Sequence, residues 1–394
     1  MTFVDGRAVI TGIGQSQIGR RIGRTGIDLA IEAALAAIAH AGLGPDEIDG
    51  VASYPGPVTA EAGFVGATTH DVRDALGLRT TWHVSGVEIP GQIGTLLDAC
   101  AAVATGRATH VLCFRSVWEA TAQAAGRAEA ITGLVTRASG HTEWRLPFGA
   151  ASAANWISMY AQRYMHDFGL TRAQLAQIPL NARRNAANNP NAIYRQPMDI
   201  DDYLSARMIS WPFGLYDCDV PCDGATAVIV SSRDAAHALA NPPIAIEAAG
   251  SALYERHTWD QRRDLTTMAA HDVAHHMWGQ TDLTPADVDI AELYDGFSYL
   301  TTQWIEAFGF CEHGKVGAFL DEPERFAPDG PLPINTHGGQ LSAGRLHGYG
   351  FVHEACLQLW GAAGARQVAG DPEVAAVGVG GGPEAGCLLL RRTG

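Results

Sequence analysis

The chain has 394 residues, a hydrophobic content of 47% and a net charge of −15, from 27 basic and 42 acidic residues. This length and apolar content predict two domains, or one duplicated domain, with an ample core, and exclude a disordered protein. The negative charge argues against nucleic acid or an anionic membrane as a partner.

The first predicted elements are a strand and a helix. Residues 8–14 (AVITGIG) form a short β-branched run that ends in glycine, and the apolar spacing over 27–41 is that of a helix. The motif LGPDEIDGV then leads into a further strand. This order of strand, helix, turn and strand is typical of an α/β protein.

An alanine-rich helix is predicted over 93–104, with Gly106 after its end and a core strand beyond it. The helix is apolar on nearly all faces, which indicates a central position in the fold. Between residues 115 and 219 lies a long polar segment, and DGATAVIV then returns to a buried strand. The segment 115–219 is therefore predicted to be an inserted cap or dimer-contact subdomain.

The same rhythm returns in the second part of the chain, with a helix predicted around 264–278 and an apolar strand after it. Between them, Leu283, Pro285, Asp287, Val288 and Asp289 echo Leu43, Pro45, Glu47, Ile48 and Asp49, with a spacing of 240 residues. We interpret the echo as a duplicated α/β unit, with halves at 1–240 and 241–394.

The segment 334–350, INTHGGQLSAGRLHGYG, holds five glycines, two histidines and a tyrosine. Glycine loses the most backbone entropy on ordering, so the segment is predicted to be a loop that permits close approach of its backbone to another group. It lacks the lysine and the GxxxxGK[ST] spacing of a phosphate-binding loop. An irregular connection whose glycines only form turns is the alternative.

The seven cysteines lie mostly in apolar surroundings, as at Cys113, Cys356 and Cys387, which is typical of buried reduced thiols. Cys218 and Cys222 form a close pair without a second pair elsewhere, which indicates packing or a turn rather than a metal site. The amino terminus has no signal-peptide pattern, and no window reaches the roughly 18 apolar residues that span a bilayer. A cytoplasmic protein is predicted.

Five segments in chain order, RYMHDFGLTRAQLAQI, CDGATAVIV, AELYDGFSY, HGGQLSAG and VGVGGGPEAG, resemble the lipid-transfer-protein branch of the thiolase superfamily. The resemblance covers nearly the whole chain. It implies an α/β thiolase fold, with duplicated βαβαβαββ halves in five αβαβα layers and a capping loop subdomain. It also implies that the substrate is an acyl-CoA thioester, often with a steroid skeleton.

The chain departs from that family at its reactive groups. Where thiolases carry a nucleophilic cysteine before the central helix, this chain has HVSGVEIPGQIG, in which Ser85 is a hydroxyl without an evident base. By the resemblance, Arg345 takes the place of the family's basic histidine and Gly378 that of its second cysteine. Thiolysis and Claisen condensation are therefore not expected.

Two tyrosines stand in segments that line the catalytic pocket of the resembled family, namely Tyr294 in YDGF and Tyr349 in HGYG. Either one alone is more often structural, but together they predict acid/base groups, because a phenol can donate or accept a proton and can hydrogen-bond an enolate. Asp295 is predicted to orient Tyr294 or to serve a turn. His347 is either a supporting residue of the site or a satisfied loop histidine.

Four glycines complete the predicted site. Gly338 and Gly339 are predicted to let the backbone approach the thioester, and Gly381 and Gly382 are assigned to substrate binding by the resemblance of the terminal glycine loop.

An acyl-CoA site with acid/base groups and no nucleophile suits carbon–carbon cleavage of a β-hydroxyacyl thioester, a retro-aldol reaction that needs no metal and no cofactor. The chain looks similar to the steroid side-chain-cleaving aldolases of the thiolase superfamily. That implies release of propionyl-CoA from a 17-hydroxy steroid thioester, leaving a 17-ketosteroid. Two alternatives are a non-catalytic acyl-CoA-binding subunit and a degradative thiolase with an unusual nucleophile.

The resemblance also implies a homodimer that carries two copies of a small zinc-ribbon and OB-fold protein, a heterotetramer. The apolar run over 91–103 supports dimerisation. Because the chain is acidic, the CoA nucleotide needs a local basic patch, for which Arg183, Arg184 and Arg345 are candidates, or a basic surface on a partner.

Overall fold

The computed structural model of the chain describes residues 3–54, 63–86, 91–129, 142–256 and 258–393. Its strands are β1 Ala8–Gln15, β2 Gly50–Ser53, β3 Trp82–Ser85, β4 His110–Trp118, β5 Met208–Ser210, β6 Phe213–Gly214, β7 Asp223–Ser232, β8 Ile244–Gly250, β9 Ile290–Leu293, β10 Val374–Gly381 and β11 Glu384–Arg392. Its helices are α1 Gly26–Ala41, α2 Thr69–Leu76, α3 Gly94–Ala104, α4 Glu119–Glu129, α5 Thr142–Arg145, α6 Ala153–Phe168, α7 Arg172–Leu175, α8 Gln177–Ala186, α9 Ile200–Ser205, α10 Arg233–Ala236, α11 Ala269–Trp278, α12 Ser298–Ala307, α13 Val316–Leu320 and α14 Gly348–Leu359. None of these helices is both long and apolar enough to cross a membrane.

Nine of the described strands form one mixed sheet in the order β3-β2-β4-β7-β1-β8-β11-β10-β9. The pattern of antiparallel and parallel strand pairing is the same in the two halves of the sheet. In the first half β1 runs antiparallel to β7, β7 antiparallel to β4, and β4 parallel to β2. In the second half β8, β11, β10 and β9 follow one another with the same orientations. The duplicated α/β unit predicted from the sequence is confirmed by this topology.

The sequence echo has a structural cause. The carboxylate of Asp49 accepts hydrogen bonds from the amides of Thr109 and His110, at 2.8 to 2.9 Å, where β4 begins. The carboxylate of Asp289 accepts at the same distances from the amides that begin β10. The last residue of each motif thus holds the neighbouring strand of its own half. The boundary at 240 lies in the connection that leads to β8 and stays a prediction.

The helices lie in three layers around the two half-sheets. Helix α1 packs on β1, β4 and β7 at one outer face, and α11 packs on β8 and β11 at the other. Helices α3 and α14 lie between the halves, since α3 contacts the first half and α14 contacts both. Within the sheet the two half-sheets meet where Val9 and Ile10 pair with β8. The apolar inner helices add contact between the halves.

The insertion begins after Trp118 rather than at Arg115. Arg115 is a buried residue of β4, and its guanidinium stacks on the rings of Phe64 at 4.7 Å and Tyr54 at 5.3 Å. A charged residue at the end of an apolar run indicates exposure, but aromatic partners from distant segments cover this one. The insertion contributes α4 to α9 and the β5–β6 hairpin to the face over the carboxyl ends of β4 and β9.

Two predicted elements differ from the structure. The helix predicted from residue 264 begins at Ala269, because the side chain of Asp264 accepts from the amide and hydroxyl of Thr266 and forms a turn there. The glycine-rich segment 334–350 is not wholly a loop, since Gly339–Ala343 forms a π-helical turn and α14 begins at Gly348. At Gly339 and Gly348, where these two helical segments begin, tertiary contacts override the low helix propensity of glycine.

Candidate active site

A cavity of about 500 Å³ opens between the insertion and the carboxyl ends of β9 and β10. Flat and branched apolar side chains form most of its wall, and polar groups gather at one end. The apolar residues are Phe64, Ala153, Trp156, Ile157, Trp259, Phe297, Leu300 and Pro383, and the polar residues are Gln92, Asp219, Tyr294, Arg345, His347 and Glu384. A mostly apolar cavity of this size with a few convergent polar groups is typical of a small-molecule site.

Tyr294 brings a phenol into this cavity. It follows β9, and its amide donates to the carbonyl of Gly378 at 2.8 Å, which ties the residue to β10. Gly296 leaves room for the ring, because a Cβ there would lie 2.7 Å from Cε1 of Tyr294. The phenolic oxygen accepts from Nε2 of Gln92 at 2.9 Å and lies 3.5 Å from Nδ1 of His347. The structure therefore places Tyr294 and His347 side by side, as an acid/base site requires.

Tyr349 lies on the first turn of α14 rather than in a loop, and it is 0% exposed. Its hydroxyl is 2.8 Å from Oγ1 of Thr95, and burial raises its pKa well above the usual range, so the phenol is neutral. Gln92 and Thr95 lie one turn apart where α3 begins. Both phenols therefore end at the amino terminus of the central helix, Tyr294 inside the cavity and Tyr349 behind its wall. The catalytic role of each stays a prediction.

Gly338 and Gly339 are not among the residues that line the cavity, and their approach to the thioester stays a prediction. Both have positive φ angles. A Cβ at Gly338 would lie 2.6 Å from Cβ of Ala186 on α8, and one at Gly339 would lie 1.9 Å from Oδ2 of Asp295. These glycines permit the close packing of the π-helical turn on its own supports.

Asp295 serves that turn and does not orient Tyr294. Its carboxylate accepts from the amides of Gln340 at 2.7 Å and Leu341 at 3.3 Å, and burial raises its pKa to about 7. Asp295 is therefore a turn residue, as one of the two sequence interpretations had it.

Of the two predicted terminal glycines, one lines the cavity and the other packs on a residue of its wall. Gly381 lines it beside Leu300. Gly382 forms the bend between β10 and β11, where a Cβ would lie 2.3 Å from the ring of Trp259. A Cβ at Gly378, the position matched to the second thiolase cysteine, would lie 2.5 Å from Trp304. The indole of Trp304 thus fills the space that a cysteine side chain would need.

None of the seven cysteines lines the cavity, and all are free thiols. Burial raises the pKa of Cys100 and of the other shielded thiols, so they stay protonated. Ser85 ends β3, where its hydroxyl bonds Thr69 at 2.5 Å and Ser53 at 3.4 Å. The described residues therefore bring no thiol and no serine hydroxyl to the lining of the cavity. Residues 87–90, part of the segment that replaces the thiolase cysteine motif, lie outside the described ranges.

Of the three arginines proposed for a CoA patch, two are engaged within the chain, whereas Arg184 is exposed and donates to Oδ1 of Asn181. Arg345 makes a two-pronged ion pair with Glu119, at 2.7 and 2.8 Å, and a further one with Asp219 at 3.1 Å. Arg183 is buried, and its guanidinium lies between the rings of Tyr194 and Tyr216. Neither supplies uncompensated positive charge at the surface.

A metal ligand set exists outside the cavity. His271, Glu306 and His313 offer ligand atoms within 4.8 Å of one another. Nδ1 of His271, however, accepts from the amide of Met268 at 3.3 Å, so the neutral ring carries its proton on Nε2, the nitrogen that has no partner among the described residues. A proton there opposes metal binding, and Glu306 instead bonds His313 directly at 2.9 Å.

Sequence reasoning missed Gln92, Trp156 and Trp259. Gln92 had a signal, since it is a polar residue just before an apolar helix. The two tryptophans come from segments a hundred residues apart, and their rings meet at 5.8 Å between centroids. Nothing in their local sequence indicates that contact.

The fold and the cavity define a thiolase-fold protein whose pocket presents a phenol and an imidazole and no thiol. Residues 251–389 match the family model described as thiolase C-terminal domain-like. A steroid side-chain-cleaving aldolase from Thermomonospora curvata is 35% identical over 363 residues, 90% of each chain. A 17-hydroxy-3-oxo-4-pregnene-20-carboxyl-CoA lyase from Mycobacterium tuberculosis is 33% identical over 98% of this chain and 100% of its own.

A solved structure, the Ltp2-ChsH2(DUF35) aldolase, superposes with a TM-score of 0.86 at 32% identity and covers 98% of each chain. The chain belongs to the steroid side-chain-cleaving aldolase family of the thiolase superfamily. The resemblance predicted from the sequence is confirmed.

Proposed function

We propose that the chain is a carbon–carbon lyase that splits a 17-hydroxy-3-oxo-4-pregnene-20-carboxyl-CoA type of thioester into a 17-ketosteroid and propionyl-CoA. The observation that carries the proposal is a cavity with broad aromatic walls and a phenol at its polar end, in a family of aldolases. Trp156 and Trp259 offer flat apolar surface to a fused ring system. The absence of a thiol from the lining separates the site from that of a degradative thiolase.

The proposed reaction balances without a co-reactant. A base removes the proton of the tertiary alcohol, the Cα–Cβ bond breaks, and its electron pair passes into the thioester as an enolate while the alcohol carbon becomes a ketone. An acid then protonates the enolate carbon and releases propionyl-CoA. The thioester itself accepts the electrons, so we propose that the chain uses no metal and no cofactor. Tyr294 is the phenol placed for one of these proton transfers.

The test is incubation of the protein with a β-hydroxyacyl-CoA that carries a tertiary alcohol, followed by mass spectrometry of the products. We expect a ketone and propionyl-CoA to appear in equal amounts without added free CoA. A requirement for free CoA would instead support thiolysis. Absence of turnover, with or without a partner protein, would support a non-catalytic acyl-CoA-binding subunit.

Removing the Tyr349 hydroxyl tests whether that phenol takes part. We expect Tyr349→Phe to lower kcat by about a hundredfold, the lower range for an acid or base group. Thr95→Val removes the hydrogen-bond partner from the other side and leaves the phenol in place. If Tyr349→Phe lowers only the melting temperature, and does so as much as Thr95→Val, the residue is structural.

We infer that the chain works in the cytoplasm as a homodimer with two copies of a small zinc-ribbon and OB-fold partner. The name of the Ltp2-ChsH2(DUF35) aldolase, which joins two proteins, supports a partner. Large apolar side chains on the insertion support one too, since Trp144 is 76% and Phe148 is 87% exposed. With Arg345 and Arg183 engaged in the chain, a partner can also supply the positive surface that CoA needs.

Light scattering during size exclusion, on the chain alone and together with its partner, measures this assembly. We expect a homodimer that gains two partner molecules and binds the acyl-CoA more tightly in the complex. A fully active homodimer whose KM does not change when the partner is added would contradict the prediction.

A further inference from the structure

His347 is held in a backbone conformation that L-residues rarely adopt. It precedes α14 with φ 61° and ψ −157°, a region occupied almost only by glycine. Such a conformation is strained and persists where the surroundings impose it, often at functional sites. Here the amide of His347 donates to Oε1 of Gln340 at 3.1 Å, which fixes the strained residue to the π-helical turn.

His347 contributes to the wall of the cavity. The residue is 4% exposed, and its ring meets that of Phe64 edge to face at 5.0 Å. Both residues line the cavity together with Tyr294. Nε2 of His347 has no hydrogen-bond partner among the described residues. A buried polar nitrogen without a partner destabilises the folded protein, and a bound ligand that supplies an acceptor removes this cost.

The neighbours of His347 decide which nitrogen carries the proton. The hydroxyl of Tyr294 lies 3.5 Å from Nδ1 of His347 and is placed to donate to it. The proton of the neutral ring then lies on Nε2. Burial first, and then the positive charges of Arg115 and Arg345, hold the pKa of His347 well below its usual range. The ring is therefore a neutral donor.

We propose that Nε2 of His347 donates a hydrogen bond to the thioester oxygen of the substrate and stabilises the negative charge that this oxygen gains in the enolate. The proposal rests on the aldolase function proposed above and adds a catalytic residue to it. The substrate alcohol must give its proton to a base, so the Nε2–H group of His347, which is itself a donor, cannot be its partner. The thioester oxygen, where charge develops as the carbon–carbon bond breaks, does fit.

Two variants test the assignment. His347→Gly removes the imidazole and suits the positive φ, and His347→Phe keeps a ring against Phe64 but has no donor. We expect each to lower kcat by about 100- to 1,000-fold, the usual effect of losing one oxyanion donor, with KM changed only a few-fold. Free imidazole should restore part of kcat in the glycine variant. The matched control is His110→Ala, which removes a buried imidazole that bonds Ser231 outside the cavity. Its kcat should stay near that of the wild type, and free imidazole should not change it.

Exchange of the C2 protons of propionyl-CoA in D₂O gives a second readout, because it requires the enolate but no ketone. We expect the wild type to catalyse this exchange and both His347 variants to lose it in proportion to kcat. Wild-type cleavage with an unchanged kcat in His347→Gly or His347→Phe would overturn the assignment of His347 alone. Absence of cleavage by the wild type, assayed with its partner, would overturn the proposed function and the assignment together.

Discussion

Replacement of Tyr294 by phenylalanine is expected to lower kcat by about a hundredfold or more and to leave the fold intact. The hydroxyl is the part of the residue that reaches the polar end of the cavity, within hydrogen-bonding distance of Gln92 and His347. The ring, which packs over Gly296 and against Phe351, is kept. Steady-state kinetics with the steroid thioester, together with the melting temperature, measures both effects.

Ser85→Ala is the control for this variant. Ser85 bonds only to Thr69 and Ser53 among the described hydroxyls and does not line the cavity. We expect its kcat to stay near that of the wild type, which would also exclude it as a nucleophile. A near-normal kcat in Tyr294→Phe would return that tyrosine to a structural role and contradict the proposed chemistry.

The second large effect is on stability. Arg345→Leu is expected to lower the free energy of unfolding by about 3–5 kcal/mol, because removing the arginine takes the cation away from the buried carboxylate of Glu119. Glu119 and Asp219, its two partners, are shielded from solvent, with side-chain exposures of 2% and 9%. The midpoint of urea unfolding measures the loss.

An exposed pair gives the matched control. Arg163 bonds Asp167 one helical turn away, with 58% of the arginine side chain exposed, so Arg163→Leu should change the unfolding midpoint little. Adding Glu119→Leu to Arg345→Leu should recover part of the lost stability, since it removes the orphaned charge. If Arg345→Leu is as mild as Arg163→Leu, the buried ion-pair cluster does not hold this part of the fold together.

The order of the elements was predictable because it depends on local pattern. The strand at 8–14, the helix at 27–41 and the central helix near 93–104 follow from apolar spacing, and each is found within a few residues. The repeat was visible in the sequence because Asp49 and Asp289 have the same role in their two halves. Each carboxylate accepts hydrogen bonds from the backbone amides at the start of a neighbouring strand. Such local chemistry leaves a trace in the sequence.

The site was only partly predictable. Tyr294, His347 and Gly381 line the cavity, whereas Gly338, Gly339 and Asp295, from the same two motifs, serve a turn behind it. A motif shows that a segment comes near the site, but it does not show which of its side chains faces the cavity. That choice depends on backbone direction, which for His347 is set by a strained φ that no local pattern indicates.

The sequence by itself determined the fold class, the duplication and the loss of the thiolase cysteines, because each depends on residue type at a given spacing. Only the tertiary structure decided the composition of the cavity. Its walls come from segments as distant as Phe64, Trp156 and Trp259, and its polar end forms where Tyr294 and His347 meet the start of the central helix. Contacts between distant segments form only when the two halves pack on their shared helices, and for that reason they leave no periodicity along the chain.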